Sequence, residues 1–188
     1  MKRVLAIILL AIASLAPAAQ SQSASRHLGE VNFEEAFEAD IPEGQFQTYT
    51  SRLLNAAILS GAKGIDIRIQ LSDHYQTVAK ASRVSVVLHD KTKANFIHIT
   101  LYKPEKGNRY EAQFSVIRQD GRGQRPVQYL SPLKLGEEVD LSLRFSEHNA
   151  VIVGMEGYTR LLRPEFEPDG IMILVQGVKG WFQARSRQ

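Results

Sequence analysis

Four runs in the middle of the chain alternate apolar and polar side chains with a period of two. Their apolar positions are Ile65, Ile67, Ile69 and Leu71, then Val84, Val86 and Leu88, then Ile97, Ile99 and Leu101, then Tyr110, Ala112 and Phe114. Successive side chains of a strand point to opposite faces, so each run has one apolar face and one chemically mixed face. This pattern predicts antiparallel strands that cover a core on one side.

Strand-like runs follow one another along the chain with no sustained helical pattern between them. That order predicts an all-β fold, a single antiparallel β-sandwich of jelly-roll type over residues 30–188. The ambiguous segment is Arg52–Leu59. Its residues Leu53, Leu54, Ala57 and Ile58 fit helical spacing, with a possible N-cap at Thr50 or Ser51 and a stop at Gly61. Because its surroundings are β, we favour two short strands over a helix there.

The N-terminal segment 1–19 has the pattern of a secretory signal peptide. Two basic residues precede an apolar stretch from Val4 to Leu15, and small residues follow it. The stretch is short of the roughly 20 apolar residues that span a bilayer. We therefore expect an exported protein, periplasmic or secreted, with no membrane span after cleavage and a flexible mature N-terminus over residues 20–29.

Composition narrows the classes of function. The chain has no cysteine, which excludes disulfides, a thiolate nucleophile and cysteine-based metal centres. Without Lys2 and Arg3, its 23 basic residues become 21 against 20 acidic ones, and they are spread along the sequence. We expect no nucleic-acid partner, a monomer, and a solvated end at Arg185–Arg187.

Hairpin threading places the polar positions of the central runs on one face. A loop at Asp90–Asn95 sets Val87 opposite His98, and a loop at Lys103–Asn108 sets His98 opposite Gln113 and Tyr102 opposite Arg109. Under this register the apolar positions share the other face, which a one-residue slip would destroy.

The mixed face carries the candidate ligand-binding residues. They are Arg83, His89, His98, Tyr102, Arg109, Glu111 and Gln113, with Phe96 among them. Three residues of the first run and three of a later run are expected to join this face: Asp66, Arg68 and Gln70, then Asp140, Ser142 and Arg144. Sugars offer hydroxyls for hydrogen bonds and C–H faces for aromatic rings, and a guanidinium pairs well with the carboxylate of an acidic sugar.

A late segment carries a family resemblance. Val139–Phe145, a turn, and Ala150–Gly157 resemble the hairpin of laminin-G-like domains and polysaccharide lyases in the concanavalin A-like lectin/glucanase superfamily. The resemblance implies two curved sheets, often with a glycan bound or cleaved on the concave one. The hydrolases' paired-acid signature and the lyases' Gln-Ile-His strand are absent. The sequence most similar to that strand is Phe96-Ile97-His98, which lacks the glutamine.

These departures favour binding of a polysaccharide or oligosaccharide without catalysis, cofactor or metal. The first alternative is a polysaccharide lyase or glycoside hydrolase acting on an acidic glycan. There His98 or Tyr102 would move a proton, or Asp66 and Glu111 would divide acid and base roles. The second alternative is a structural or protein-interaction domain whose mixed face is solvated or covers a partner.

Overall fold

The computed structural model describes residues 26–32, 36–75, 82–104, 110–130, 133–146 and 149–187. The predicted signal peptide lies outside these residues. The strands are β1 (Arg26–Asn32), β2 (Ala36–Asp40), β3 (Gln45–Thr50), β4 (Gly64–His74), β5 (Arg83–His89), β6 (Phe96–Tyr102), β7 (Glu111–Ile117), β8 (Val127–Leu130), β9 (Glu138–Phe145), β10 (Val151–Met155), β11 (Tyr158–Leu162), β12 (Gly170–Gln176) and β13 (Val178–Arg187). Among the described residues there is one helix, α1, which spans Arg52–Leu59 between β3 and β4.

The strands form two sheets. Sheet A has the order β1-β3-β12-β5-β6-β7-β8, and sheet B has the order β11-β10-β9-β4-β13-β2. The pair β1–β3 is parallel, and the other pairs between described strands are antiparallel. The predicted all-β sandwich is therefore confirmed.

The core lies between the sheets and is made of the predicted apolar positions. Side-chain exposure is 0% at the alternate positions of β4, which are Ile65, Ile67, Ile69 and Leu71. It is also 0% at Leu88, Ile97 and Ala112 in sheet A. An aromatic stack joins the layers, with Phe37 of β2 lying between Tyr49 of β3 and Phe182 of β13. The inward alternation of both sheets thus buries one continuous apolar layer.

The expectation of two strands at Arg52–Leu59 is wrong, because local helix signals prevail there. The Ser51 side chain accepts a hydrogen bond from the Leu54 backbone N–H at 3.0 Å, which caps the first turn. Leu54 is buried in the core with 2% exposure. Gly61 ends the segment with a φ of 80°, a conformation that glycine adopts without strain.

The hairpin registers are confirmed in part. Val87 pairs with His98 as predicted. In the next hairpin, however, His98 pairs with Ser115 and Tyr102 with Glu111, two residues beyond the predicted partners. The connection runs to Tyr110 and is longer than the six-residue loop assumed. A slip of two residues preserves which face each side chain occupies, so the predicted mixed face survives.

Two other expectations need correction. The polar residues of β4 and β9 lie in sheet B and not beside His98, because β4 pairs with β9 and β13. The corrected residues are Asp66, Arg68, Gln70, Asp140, Ser142 and Arg144. Of the segment 20–29, predicted to be loose, residues 26–29 belong to β1, whereas residues 20–25 lie outside the described residues. The tail Arg185–Arg187 is exposed to solvent as expected, and it forms the end of β13. Within the described residues, no helix has the length and apolar character needed to cross a membrane.

Candidate functional site

The outer face of sheet A gathers the predicted site from three adjacent strands, β5, β6 and β7. Their registers form lateral rows: Arg83 pairs with Tyr102, which pairs with Glu111, and Val87 pairs with His98, which pairs with Ser115. Partners across an antiparallel pair have their side chains within contact distance. We call the outward side chains of these strands, with their neighbours on β8 and β12, the sheet A face.

A cavity of about 260 Å³ lies on this face. Its lining is Arg83, Ser85, Val87, Phe96, His98, Ile117, Met172 and Leu174. Phe96, Met172 and Leu174 are half-buried, and Ile117 is 48% exposed. The sheet A pocket therefore offers an apolar floor beside a guanidinium and an imidazole, a combination suited to a ligand with both C–H and hydroxyl groups.

His98 is held as a neutral imidazole on this face. Burial lowers the pKa of its ring below the ordinary value for histidine, and the positive charge of Arg83 lowers it further. Its Nε2 lies 3.3 Å from the Thr100 hydroxyl, which in turn lies 3.1 Å from the Ser85 hydroxyl. A neutral ring has one donor and one acceptor nitrogen, so it can hydrogen-bond a ligand hydroxyl in either direction.

Tyr102, Glu111 and Gln128 form a hydrogen-bonded row beside the pocket. The Tyr102 hydroxyl donates to Glu111 Oε2 at 2.5 Å and accepts from Gln128 Nε2 at 2.9 Å. The hydrogen bond to Glu111, with burial and the nearby carboxyl charge, raises the pKa of Tyr102 to about 12. Tyr102 therefore stays protonated near neutral pH and fixes the position of the Glu111 carboxyl group.

The remaining predicted residues have different surroundings. Gln113 is half-buried and pairs with Thr100 and Gln128 in the register. His89 has the expected orientation but only 6% exposure, and its Nδ1 lies 2.9 Å from the Asp90 carbonyl oxygen. His89 is therefore buried, and it does not line the sheet A pocket. Arg109 lies outside the described residues.

The acid pair considered for an enzyme does not assemble. Asp66 lies on β4 of sheet B, whereas Glu111 lies on β7 of sheet A, with the core between the sheets. In the part of the chain that the structure describes, no group of three or more histidine and acidic side chains is placed to hold a metal ion.

Sequence reasoning missed a second concave region, on the outer face of sheet B. We call it the sheet B groove; it has a volume of about 480 Å³ and is lined by residues of β4, β9, β10, β11 and β13, including Arg68, Arg144 and Arg185. The alternation of Gln183, Arg185 and Arg187 along the last strand is a signal in the sequence that could have revealed it.

Known structures resemble this sandwich over part of its length. The chain is similar to an ancestral congerin, with a TM-score of 0.47 and 12% identity over 65% of this chain and 90% of that one. It is similar to galectin-Ib of Xenopus laevis, with a TM-score of 0.45, 12% identity and coverage of 65% and 89%. A third similar structure is the carbohydrate-binding module CBM66 from Bacillus subtilis, with a TM-score of 0.46, 13% identity and coverage of 68% and 74%.

No family model matches the chain, and no curated protein matches it. The predicted resemblance to concanavalin A-like jelly rolls is confirmed as a resemblance of architecture, since two sheets, antiparallel apart from the β1–β3 pair, enclose one core. Fold similarity of this degree concerns the arrangement of strands, and the chemistry of each face comes from this chain's own residues.

Proposed function

We propose that this protein is exported and binds a glycan, without catalysis, through the sheet A face. The observation that carries the proposal is the sheet A pocket, where Phe96 lies in one concavity with Arg83 and His98. An aromatic ring and aliphatic side chains cover the C–H face of a sugar, while guanidinium and imidazole groups bind its hydroxyl or carboxylate groups. The N-terminal pattern of a signal peptide supports export.

Each polar group has a distinct part in this function. Arg83 and His98 contact the ligand directly from the pocket. Glu111 and Gln113 extend the contact along β7, and Tyr102 holds Glu111 in place through its hydrogen bond. Because Tyr102 remains protonated and donates to Glu111, it serves here as a positioning residue and not as a base.

Binding of neutral and uronate oligosaccharides, measured by calorimetry, tests the proposal. Arg83→Gln should weaken the affinity for the bound glycan by about tenfold, the value of one charge-assisted hydrogen bond, and His98→Ala by about fivefold, the value of one neutral hydrogen bond. The matched control is Arg52→Gln on exposed helix α1, which makes the same change of charge outside both cavities. Its affinity should equal that of the wild type.

Three results would contradict the proposal. If no glycan of the panel binds, or if Arg52→Gln weakens binding as much as Arg83→Gln, the sheet A face is not the glycan site. If unsaturated products or new reducing ends accumulate and His98→Ala abolishes them, the protein is a lyase or hydrolase.

A further inference from the structure

The sheet B groove has a low floor because small residues lie between large ones. Ser142 of β9 pairs with Gly154 of β10, and both line the groove. A side chain at residue 154 would bring its Cβ to 2.5 Å from Ser142 Oγ, so glycine keeps this part of the floor open. On β9, Asp140 and Arg144 flank Ser142 and form higher walls.

The groove runs across the strands. The registers align Arg185 with Asp66, Asp66 with Ser142, Ser142 with Gly154 and Gly154 with Thr159. Five strands thus contribute to one row, which spans about 19 Å at the usual spacing between strands. An extended chain lying along this row would meet hydroxyl groups at Ser142 and Thr159 and the guanidinium of Arg185. Between Arg185 and Ser142 it would also pass the Asp66 carboxylate, whose charge is offset by hydrogen bonds from Arg144 and Arg187.

Acid partners occupy three of the four arginines in the groove. Arg68 donates to Asp140 at 2.9 Å, Arg144 donates to Asp66 at 2.6 Å, and Arg187 also donates to Asp66. Arg185 is exposed and has no hydrogen-bond or ion-pair partner among the described residues. The lining contains four arginines against three acidic residues, and Arg185 is the arginine among them that has no acid partner in the described part of the chain.

Gln183 extends this free donor surface. It lies two residues before Arg185 on the same face of β13 and lines the groove. Within the described chain its amide has no side-chain partner either. A guanidinium fork beside an amide matches a carboxylate whose neighbouring carbons bear hydroxyl groups, because the fork takes both oxygens of a planar anion.

We propose that the sheet B groove is a second site, which binds a carboxylate-bearing sugar chain with the carboxylate on Arg185. Ser142 and Thr159 hydrogen-bond its hydroxyl groups along the row, and Gln183 does so beside Arg185. The three other arginines keep their acid partners and build the walls. The site is independent of the sheet A face, since the two lie on opposite sides of the core.

The test is calorimetric titration of the full-length mature chain with four probes: a galacturonic acid tetramer, its methyl ester, a neutral galactose tetramer and a sulfated galactose tetramer. The wild type should bind the acid more tightly than the ester, and added salt should weaken binding of the acid. Arg185→Gln should weaken binding of the acid by about tenfold and change binding of the ester little.

Three further variants separate the alternatives. Arg52→Gln should bind the acid as the wild type does, since it makes the same charge change outside the groove. Arg83→Gln should leave the contribution of Arg185 unchanged, so failure of the sheet A proposal does not affect this one. Gly154→Ala, which raises the floor, should weaken binding of both acid and ester.

Several outcomes would overturn the proposal. The proposal is wrong if the acid tetramer binds no more tightly than the ester. It is also wrong if Arg185→Gln binds the acid as tightly as the wild type does. Preference for the sulfated tetramer would show that the anion is a sulfate ester and overturn the carboxylate assignment. Equal losses in Arg185→Gln and Arg52→Gln would show a general effect of net charge and not a site.

Discussion

The two outer faces of this sandwich share a core but differ in how their polar groups are satisfied. On the sheet A face, neutral groups such as the half-buried His98 and the buried Thr100 hydrogen-bond one another beside apolar side chains. On sheet B, guanidinium and carboxylate groups form ion pairs at exposed positions, as Arg68 does with Asp140 and Glu138. The same period-two alternation thus builds a largely apolar pocket with Arg83 and His98 on one side and a charged groove on the other.

The largest expected effect lies in the layer that the two faces share. Phe182 has 0% exposure and stacks on Phe37 with ring centroids 4.7 Å apart. Phe182→Ala should lower the free energy of unfolding by about 3 to 5 kcal/mol, because it opens a cavity in the core. Urea unfolding measures this loss; a loss below 1 kcal/mol would show that the two sheets do not depend on a common core.

On sheet B, Asp66 should matter more than its neighbour Asp140. The Asp66 carboxylate accepts from Arg144 and Arg187 and is 29% exposed, whereas Asp140 is 69% exposed. Asp66→Asn should cost about 1 to 2 kcal/mol and Asp140→Asn less than about 0.5 kcal/mol. Equal costs in urea unfolding would contradict the difference in burial.

Acid titration gives an independent check on Asp66. Partial burial raises the pKa of its carboxyl, but hydrogen bonds from Arg187 and Arg144 more than offset burial, and the pKa lies below the ordinary value of 3.8. Its contribution to stability is therefore present above that value and is lost as the pH falls through the lower, folded-state pKa. The difference between wild type and Asp66→Asn should disappear in the same range.

On the sheet A face, Tyr102→Phe removes the hydroxyl that joins Glu111 and Gln128. The expected loss is about 1 kcal/mol, the net value of hydrogen bonds in a partly exposed setting. Affinity for a glycan should fall with it, because the Glu111 carboxyl loses its fixed position. Unchanged affinity together with reduced stability would limit Tyr102 to a structural role.

The smallest effect concerns the charge of His98. Its folded-state pKa is lowered by burial and then by Arg83, so folding favours the neutral ring. Stability from this residue should accordingly decrease as the pH falls below the unfolded value of 6.5. Arg83→Gln should raise the pKa of His98 in an NMR titration, and an unchanged value would show that the two side chains do not interact.

Sequence alone predicted the features that depend on residues close to one another along the chain. The β5–β6 register is correct because its connection is short, and Asp90 fixes it by accepting hydrogen bonds from Thr92 and Asn95. The longer connection before β7 allowed an error of two residues, which left the faces intact. The sequence around helix α1 had adequate local signals for a helix at Ser51 and Gly61. Our interpretation gave more weight to the β-rich surroundings than to these signals.

Pairing between distant strands was not predictable in this way. β4 joins β9 and β13, so Asp66 meets Arg144 and Arg187 across 78 and 121 residues of sequence. Alternation shows which side chains of β4 point outward but not which sheet the strand enters. The charged groove of sheet B therefore appears only when the strands are assembled.

The central claim is that glycan recognition occurs on the sheet A face, and mapping of backbone amide shifts during titration with a bound glycan tests it most directly. A neutral oligosaccharide from the panel that binds should shift amides of β5, β6 and β7, centred on Arg83, Phe96 and His98. Shifts confined to amides of β4, β9 and β13 would contradict this claim. It would also be contradicted if Arg83→Gln bound the glycan with unchanged affinity and, at equal saturation, showed the same pattern of amide shifts as the wild type.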